Sequence, residues 1–328
     1  MKRFCVGLLA FAMMASVFAN GTTEQGGDTS FNPAKDINWT VTSKPGGGSD
    51  IYTRMITDIA KKEGFVTKNF LINYKTDGGG EVGRAAVANT KGDLANYTLL
   101  TFNSGDLMPM DKNTNNRLAN FKPICLMAVD KQVLLVNADS KYQTMQAVID
   151  GVKAGDQIVI AGSREDDYMT FKALINELGF TEQQIPYINN DSTSDAITSV
   201  LGGHVAIALA KPAASQAYVE SGKMKAILAL SNKRFTGVLA DAPTLNEVGP
   251  YKAVEVPVWR GLAGPAEMSD AAVKYYSDLM RKVSETETWQ NDYIKKNGLI
   301  SEYMSCEEAA PFMVQFEKDY LKKIGKDK

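Results

Sequence analysis

Histidine is almost absent from this sequence: His204 is the only one in 328 residues. A metal centre built on imidazoles has nothing to recruit. No set of Cys, Asp and Glu falls at metal-ligand spacing either, so neither a metal nor a cofactor is expected. His204, in Gly202-Gly203-His204, reads as structural. Cysteine is scarce too, with Cys5, Cys125 and Cys306. Cys125 and Cys306 are compatible with one long-range disulfide and equally with two buried thiols. Neither sign of charge prevails. Lys and Arg total 36 against 38 Asp and Glu, which gives no reason to expect nucleic acid or an anionic membrane as partner.

Long apolar runs are missing beyond the N-terminus. The one run, Phe4 to Phe18, is shorter than the roughly 20 residues of a spanning helix. Lys2 and Arg3 precede it, and Val17-Phe18-Ala19 has the spacing a signal peptidase reads. Residues 1–19 are therefore expected to be a secretory signal peptide. Cys5 lies too early in it for lipid attachment, so the product is expected in the periplasm, without a lipid anchor, as a monomer. Residues 20–36 are polar and rich in Gly and Thr, and read as a disordered leader.

What remains is long for one core and comfortable for two lobes of roughly 100–150 residues. Strands and helices alternate along it. Trp39-Thr40-Val41-Thr42 reads as a strand, followed by the turn Pro45-Gly46-Gly47-Gly48-Ser49-Asp50 and a helix with Ile51, Met55, Ile56 and Ile59 on one face. Ser49 is the expected N-cap. Strand, glycine loop and helix recur at Phe70-Leu71-Ile72, Asp77 to Glu81 and Val82 to Asn89. Further strands are expected at Tyr97 to Phe102, Gln157 to Ala161 and Val205 to Ala210. Ser269 opens a helix to Ser284, and Ser305 with Glu308 forms a capping-box pattern. Phe312, Phe316 and Tyr320 share one face of the last helix and read as core packing. The alternation predicts an α/β fold with mainly parallel sheets.

Glycine loops that open helices make anion sites, because helix N-termini carry unpaired N–H groups and about half a positive charge. In parallel sheets such loops gather at the carboxyl ends of the strands. Loops 45–50, 77–81, 103–105 and 162–164 are candidates for one crevice. Neither a phosphate-binding P-loop nor a dinucleotide fingerprint is present. Arg164, just past a strand end, suits a carboxylate; a salt bridge to Glu165, Asp166 or Asp167 is the competing reading. Lys211 is placed similarly. Asp50 and Asp77 are expected to fix turns. Ser163 lacks a nucleophile elbow, which leaves a secreted serine hydrolase the weakest of the readings and a non-enzymatic protein the expected one.

Four ordered motifs carry a family resemblance. They are Lys44-Pro45-Gly46-Gly47-Gly48-Ser49-Asp50-Ile51 with Arg54, and Asp77-Gly78-Gly79-Gly80-Glu81-Val82-Gly83 with Tyr97-Thr98-Leu99-Leu100. Ile185-Pro186-Tyr187 with Leu201-Gly202-Gly203-His204-Val205 follows, then Asp241 to Gly249 with Trp259-Arg260-Gly261-Leu262-Ala263-Gly264-Pro265. Across nearly the whole mature chain the sequence resembles the extracytoplasmic solute-binding receptors of tripartite tricarboxylate transporters, the Bug receptors.

The resemblance implies a type II periplasmic-binding-protein fold: two lobes, a cleft between them, two crossover segments and hinge closure on the ligand. Lobe 1 is expected at 37–136 and 251–328, and lobe 2 at 137–250. It also implies a small carboxylate ligand delivered to integral membrane permease subunits, with a ligand sensor for a two-component system as the other output of the same fold. Gly46, Gly47, Gly48 and Ser49 are expected to hold one end of the ligand. Ser163 and Arg164 hold the other, with Asn103 and Tyr187 between and Lys211 nearby. After Gly162-Ser163 the family usually has glycines and here stand Arg164, Glu165, Asp166, Asp167 and Tyr168. After Tyr187 it usually has Lys-Gly and here stand Ile188, Asn189 and Asn190. The departures suggest a carboxylate with an additional polar or cationic group.

Overall fold

The structure, a computed structural model, describes residues 30–326. The expected signal peptide and residues 20–29 of the leader lie outside the described residues. The rest of the expected leader is anchored: Phe31 packs against the rings of Tyr97, Tyr275 and Tyr276 at 5.5–5.8 Å. Lys35 pairs with Asp93, and Asp36 accepts from the Asn69 amide.

Among the described residues, eleven strands form two sheets. The first holds β1 (Ile37–Val41), β2 (Phe70–Tyr74), β3 (Thr98–Asn103), β4 (Phe121–Asp130), β10 (Val258–Pro265) and β11 (Ile300–Met304), in the order β11-β4-β10-β3-β1-β2. The second holds β5 (Gln132–Asn137), β6 (Ile160–Ser163), β7 (Tyr187–Asn190), β8 (Ile207–Ala210) and β9 (Met224–Leu230), in the order β7-β6-β8-β5-β9. The sheets are mixed, which corrects the expectation of mainly parallel ones. β1 runs parallel to β2 and β3, and β6 to β7 and β8. β10 is antiparallel to β3 and β4, β11 to β4, and β5 to β8 and β9. The chain returns to the first sheet through β10, which inserts between β3 and β4 and must run against both. The alternation of strands and helices in sequence carried no sign of this return.

Side chains alternate across each sheet, so each face builds its own core. Leu99 joins Trp39, Tyr52, Tyr276 and Trp289 on one face of the first sheet, while Leu100 and Phe102 join Trp259 and Met313 on the other. In the second sheet Leu134 and Val136 face one cluster, and Val133 and Leu135 the opposite one. β3 and β10 are buried along their whole length. Burial on both faces is why neither strand alternates apolar with polar residues.

The chain passes from first sheet to second through one residue, Lys131, between β4 and β5. The lobe boundary expected at 136 thus falls inside β5, a strand of the second sheet. The return runs from β9 to β10. The two crossings are tied together: Lys131 Nζ lies 3.1 Å from Glu255 Oε2 and bonds Ser231, and Asp130 pairs with Arg260. Cys125 and Cys306 are both free thiols. Among the described residues no helix is long and apolar enough to cross a membrane, and no cluster of His, Cys, Asp and Glu is arranged to hold a metal.

Candidate functional site

Several helices start at one point. The helices Gly48–Lys62, Arg164–Leu178, Thr193–Leu201 and Pro212–Glu220 have Gly47, Ser163, Ser192 and Lys211 as N-caps. All four caps line the same polar cavity, together with Ser43, Gly48, Ser49, Asn103, Arg164, Asp166, Thr193, Val258 and Arg260. The four helices follow β1, β6, β7 and β8 in turn, so strand ends deliver all four caps. Four helix N-termini on one cavity give a concentrated positive potential.

The first-sheet wall is mostly backbone and hydroxyl. Gly46 has φ 80°, the left-handed region that favours glycine. Its N–H donates to Asp50 Oδ2 at 2.8 Å, while Arg54 and the Tyr74 hydroxyl donate to Asp50 Oδ1. Asp50 therefore fixes the turn, as expected. Gly46 itself does not line the cavity. Gly48 does, and a Cβ there would come within 2.5 Å of an Arg260 nitrogen. Ser49 is not the N-cap: the helix begins at Gly48 with Gly47 extended. That shift places Ser49 in the first turn, with Oγ accepting from Asn103 Nδ2 at 3.2 Å. Ser43 Oγ is buried without a hydrogen-bond partner.

The second-sheet wall is ionic. Lys211 Nζ lies 2.5 Å from Asp167 Oδ1 and 2.9 Å from Asp166 Oδ2, all three buried. Burial pushes the Asp167 carboxyl up to about 6, with Lys211 opposing. Lys211, Gln132 and the amide and hydroxyl of Ser163 all donate to that carboxylate, and we take it as ionised at neutral pH. Burial lowers the Lys211 pKa, but Asp166 and Asp167 outweigh it and the net shift is upward. Lys211 is thus neutralised by two acids and is not a free cation. Asp166 Oδ1 is buried without a partner.

Arg164 is the one non-glycine residue with positive φ, 65°, among the described residues. It does not pair with the acids beside it in sequence. Its guanidinium crosses to the first sheet's loops and donates to the carbonyls of Thr42 and Gly79, with Asp106 at 4.0 Å. Burial lowers its pKa. Loop 77–81 meets the site only through this contact and does not line the cavity. The space left is about 20 Å³, room for about one water.

Tyr187 is displaced from its expected place. Its ring stacks on Phe171 at 4.8 Å and tilts against Tyr168 at 5.5 Å. Its hydroxyl sits beneath Gly162, buried and without a hydrogen-bond partner, and burial raises its pKa well above the usual value. It packs under the end of β6 rather than lining the cavity. His204 is exposed on the turn after Leu201. Ser163 donates its hydroxyl to Asp167, not to an imidazole.

The structure brings Gly47, Gly48, Ser49, Asn103, Ser163, Arg164 and Lys211, named from the sequence, to one cavity. The sequence reading missed Ser43, Asp166, Ser192, Thr193, Val258 and Arg260. Ser192 was findable: Ser192-Thr193-Ser194-Asp195 is a cap-like pattern, and Ser192 Oγ accepts from the Asp195 amide at 3.2 Å. Arg260 sat in a quoted motif, but only the fold brings it to Asp130, where Nε donates at 2.9 Å.

This architecture is that of a periplasmic-binding protein. The structure named periplasmic binding protein BugD superposes with a TM-score of 0.75 at 22% identity, over 89% of this chain and 95% of that one. MatC from Rhodopseudomonas palustris with bound malate gives 0.74 at 18% identity, over 89% and 98%. BugT of Bordetella pertussis is 25% identical over 241 residues, 71% of each chain. Residues 53–326 match the family described as the tripartite tricarboxylate transporter family receptor, and the chain belongs to it.

Proposed function

We propose that this protein captures a small carboxylate in the cavity at the four helix N-termini, by closure of one lobe on the other, in the periplasm. It then delivers the ligand to the integral membrane permease of a tripartite tricarboxylate-type transporter. The observation that carries this reading is the convergence of Gly47, Ser163, Ser192 and Lys211 as N-caps on one cavity. A carboxylate placed there accepts from backbone N–H groups already oriented toward it. MatC, of the same fold, holds malate, a small dicarboxylate.

Arg164 is the mobile element of this reading. Its present hydrogen-bond partners are neutral carbonyls, with the Asp106 carboxylate only at 4.0 Å, and a ligand carboxylate outcompetes them through a bidentate, charge-assisted pair. Asp166, with a free oxygen in the wall, selects a ligand that carries a donor or cationic group beside its carboxylate. A thermal-shift screen tests the whole reading, since a ligand of the folded state raises Tm. Small carboxylates are expected to raise it, amino- or hydroxy-substituted ones most. Shifts with sugars or simple amines and none with carboxylates overturn the reading.

A further inference from the structure

Part of each glycine turn lies outside the polar cavity. Gly46 does not line it, and loop 77–81 reaches it only through Arg164. Both stretches touch the second sheet's helices instead. A Cβ on Gly46 would stand 3.5 Å from Ser194 Cβ, and one on Gly47 3.3 Å from Ser192 Cβ. A Cβ on Gly80 would meet the Arg164 guanidinium, and one on Gly105 the Asp166 carboxylate. Missing side chains thus let the first sheet's loops close on the second sheet's helix starts. The polar cavity is enclosed along this seam.

Charge is divided across the seam. Lys44, two residues before Gly46, places Nζ 3.3 Å from Asp191 Oδ2 and 3.2 Å from Asp195 Oδ2. The next residue, Pro45, accepts at its carbonyl from Ser194 Oγ at 3.1 Å. Elsewhere along the seam Lys112 Nζ lies 2.8 Å from Glu165 Oε2. In each pair the lysine comes from the first sheet's side and the acid from the second's. Gln216 adds a neutral tie by donating to the Lys296 carbonyl. None of these groups lines the cavity, so they join the two sides with no ligand between them. A lone exposed ion pair contributes little. Here one ammonium meets two carboxylates, beside a hydrogen bond and a close-packed turn. Lys44 is exposed and both acids are half-buried, so salt reaches the group.

We propose that Lys44, with Asp191 and Asp195, is an ionic clasp that keeps the lobes closed in the absence of ligand and gates entry to the cavity. The space of about 20 Å³ between the closed walls holds about one water, so a ligand enters only after the clasp has opened. Its apparent affinity is then lowered by the fraction of chain that is open. Salt screens the clasp and raises that fraction. The clasp rests on the hinge closure of the reading above and not on its carboxylate. The test contains no ligand, so failure here and failure there are read separately.

Ser43 lines the cavity, and its buried Oγ has no hydrogen-bond partner. Ser43→Cys therefore loses no hydrogen bond and places a reporter thiol on the closed wall. The full chain is treated with N-ethylmaleimide, and peptide mass spectrometry separates the reporter from Cys125 and Cys306. The reagent is larger than the closed space, so the reporter's labelling rate counts the open form. At low salt, Lys44→Gln is expected to speed that rate about fivefold, the upper range for exposed ion pairs. At about 1 M NaCl, where screening acts within roughly 3 Å, the two chains should label alike. Asp191→Asn with Asp195→Asn should give the same rise, and Lys44→Gln should then add nothing. Cys306, which opens the helix Cys306–Lys323, should keep its rate throughout. A reporter rate unchanged by Lys44→Gln, or no labelling in either chain, overturns the proposal. So does a further rise when both aspartates are already neutral, or a rise shared by Cys306, which marks unfolding rather than lobe opening.

Discussion

The two walls of the polar cavity are built from different materials. The first-sheet wall is glycine backbone, Ser43, Ser49 and Asn103, backed by one buried ion pair between Arg260 and Asp130. The second-sheet wall is an ionic network of Asp166, Asp167 and Lys211, with Arg164 reaching from it to the first sheet's loops. A wall of backbone amides attracts an anion without choosing among anions. A wall of fixed charges chooses, because a ligand that leaves one of them unpaired meets a large desolvation penalty. Under the proposed reading, capture falls to one side and discrimination to the other.

The largest expected effect tests the support of the first wall. Arg260→Met leaves Asp130, wholly buried, without its cation and is expected to cost about 4 kcal/mol in urea unfolding. A loss near zero would mean that this wall does not depend on its ion pair.

Lys211→Met tests the second wall and adds a pH signature. At neutral pH it leaves two buried carboxylates together and is expected to cost about 3 kcal/mol. Asp167 is already pushed up to about 6, and loss of the cation raises it further. A carboxyl whose folded pKa is raised destabilises the fold above that pKa and is relieved as pH falls through it. The variant therefore regains stability between pH 7 and 5, measured as Tm against pH. A flat profile would break the assignment.

Gly48→Ala pushes a methyl against the pinned Arg260 guanidinium, and about 1–3 kcal/mol is expected from overpacking. All carboxylates should weaken together, which calorimetry on several ligands reads. Arg164→Ala should do the reverse. Stability is expected to fall by about 1–2 kcal/mol from the two lost hydrogen bonds, with no relief of the left-handed backbone, since alanine keeps its Cβ. Affinity falls about tenfold or more, unequally across ligands, as expected for a lost charge-assisted pair.

The smallest effect lies away from both walls. Arg234, then the Thr244 amide and hydroxyl, hold exposed Glu247 down to about 2. Its contribution is present above the ordinary glutamate pKa and fades as pH falls toward 2. The gap in Tm between the native chain and Glu247→Gln should close over that range.

Legibility in the sequence followed locality. The turn at 45–50, the cap at Ser269 and the capping box at Ser305 are written in adjacent residues, and the structure bears them out. Seven of the cavity's residues were legible for the same reason, since each ends a strand or opens a helix. Arg260 and Val258 reach the cavity because β10 returns from the far end of the chain, and no local pattern encodes that return. The direction of Arg164 was equally hidden. Its sequence neighbours are acids, yet Lys211, distant in sequence, has taken two of them. Tyr187 failed because its strand end lies one packing layer below the cavity, under Gly162.

The single-residue crossing at Lys131 has a consequence for how this chain tolerates change. A rotation of one sheet against the other must pass through the few backbone torsions around that residue, with no slack to absorb an altered length. An inserted or deleted residue there would turn every β5 side chain to the opposite face and exchange the two cores of the second sheet. The return between β9 and β10 is a long stretch with room for such change. Length variation among descendants of this chain should therefore collect in the return and be purged from the crossing.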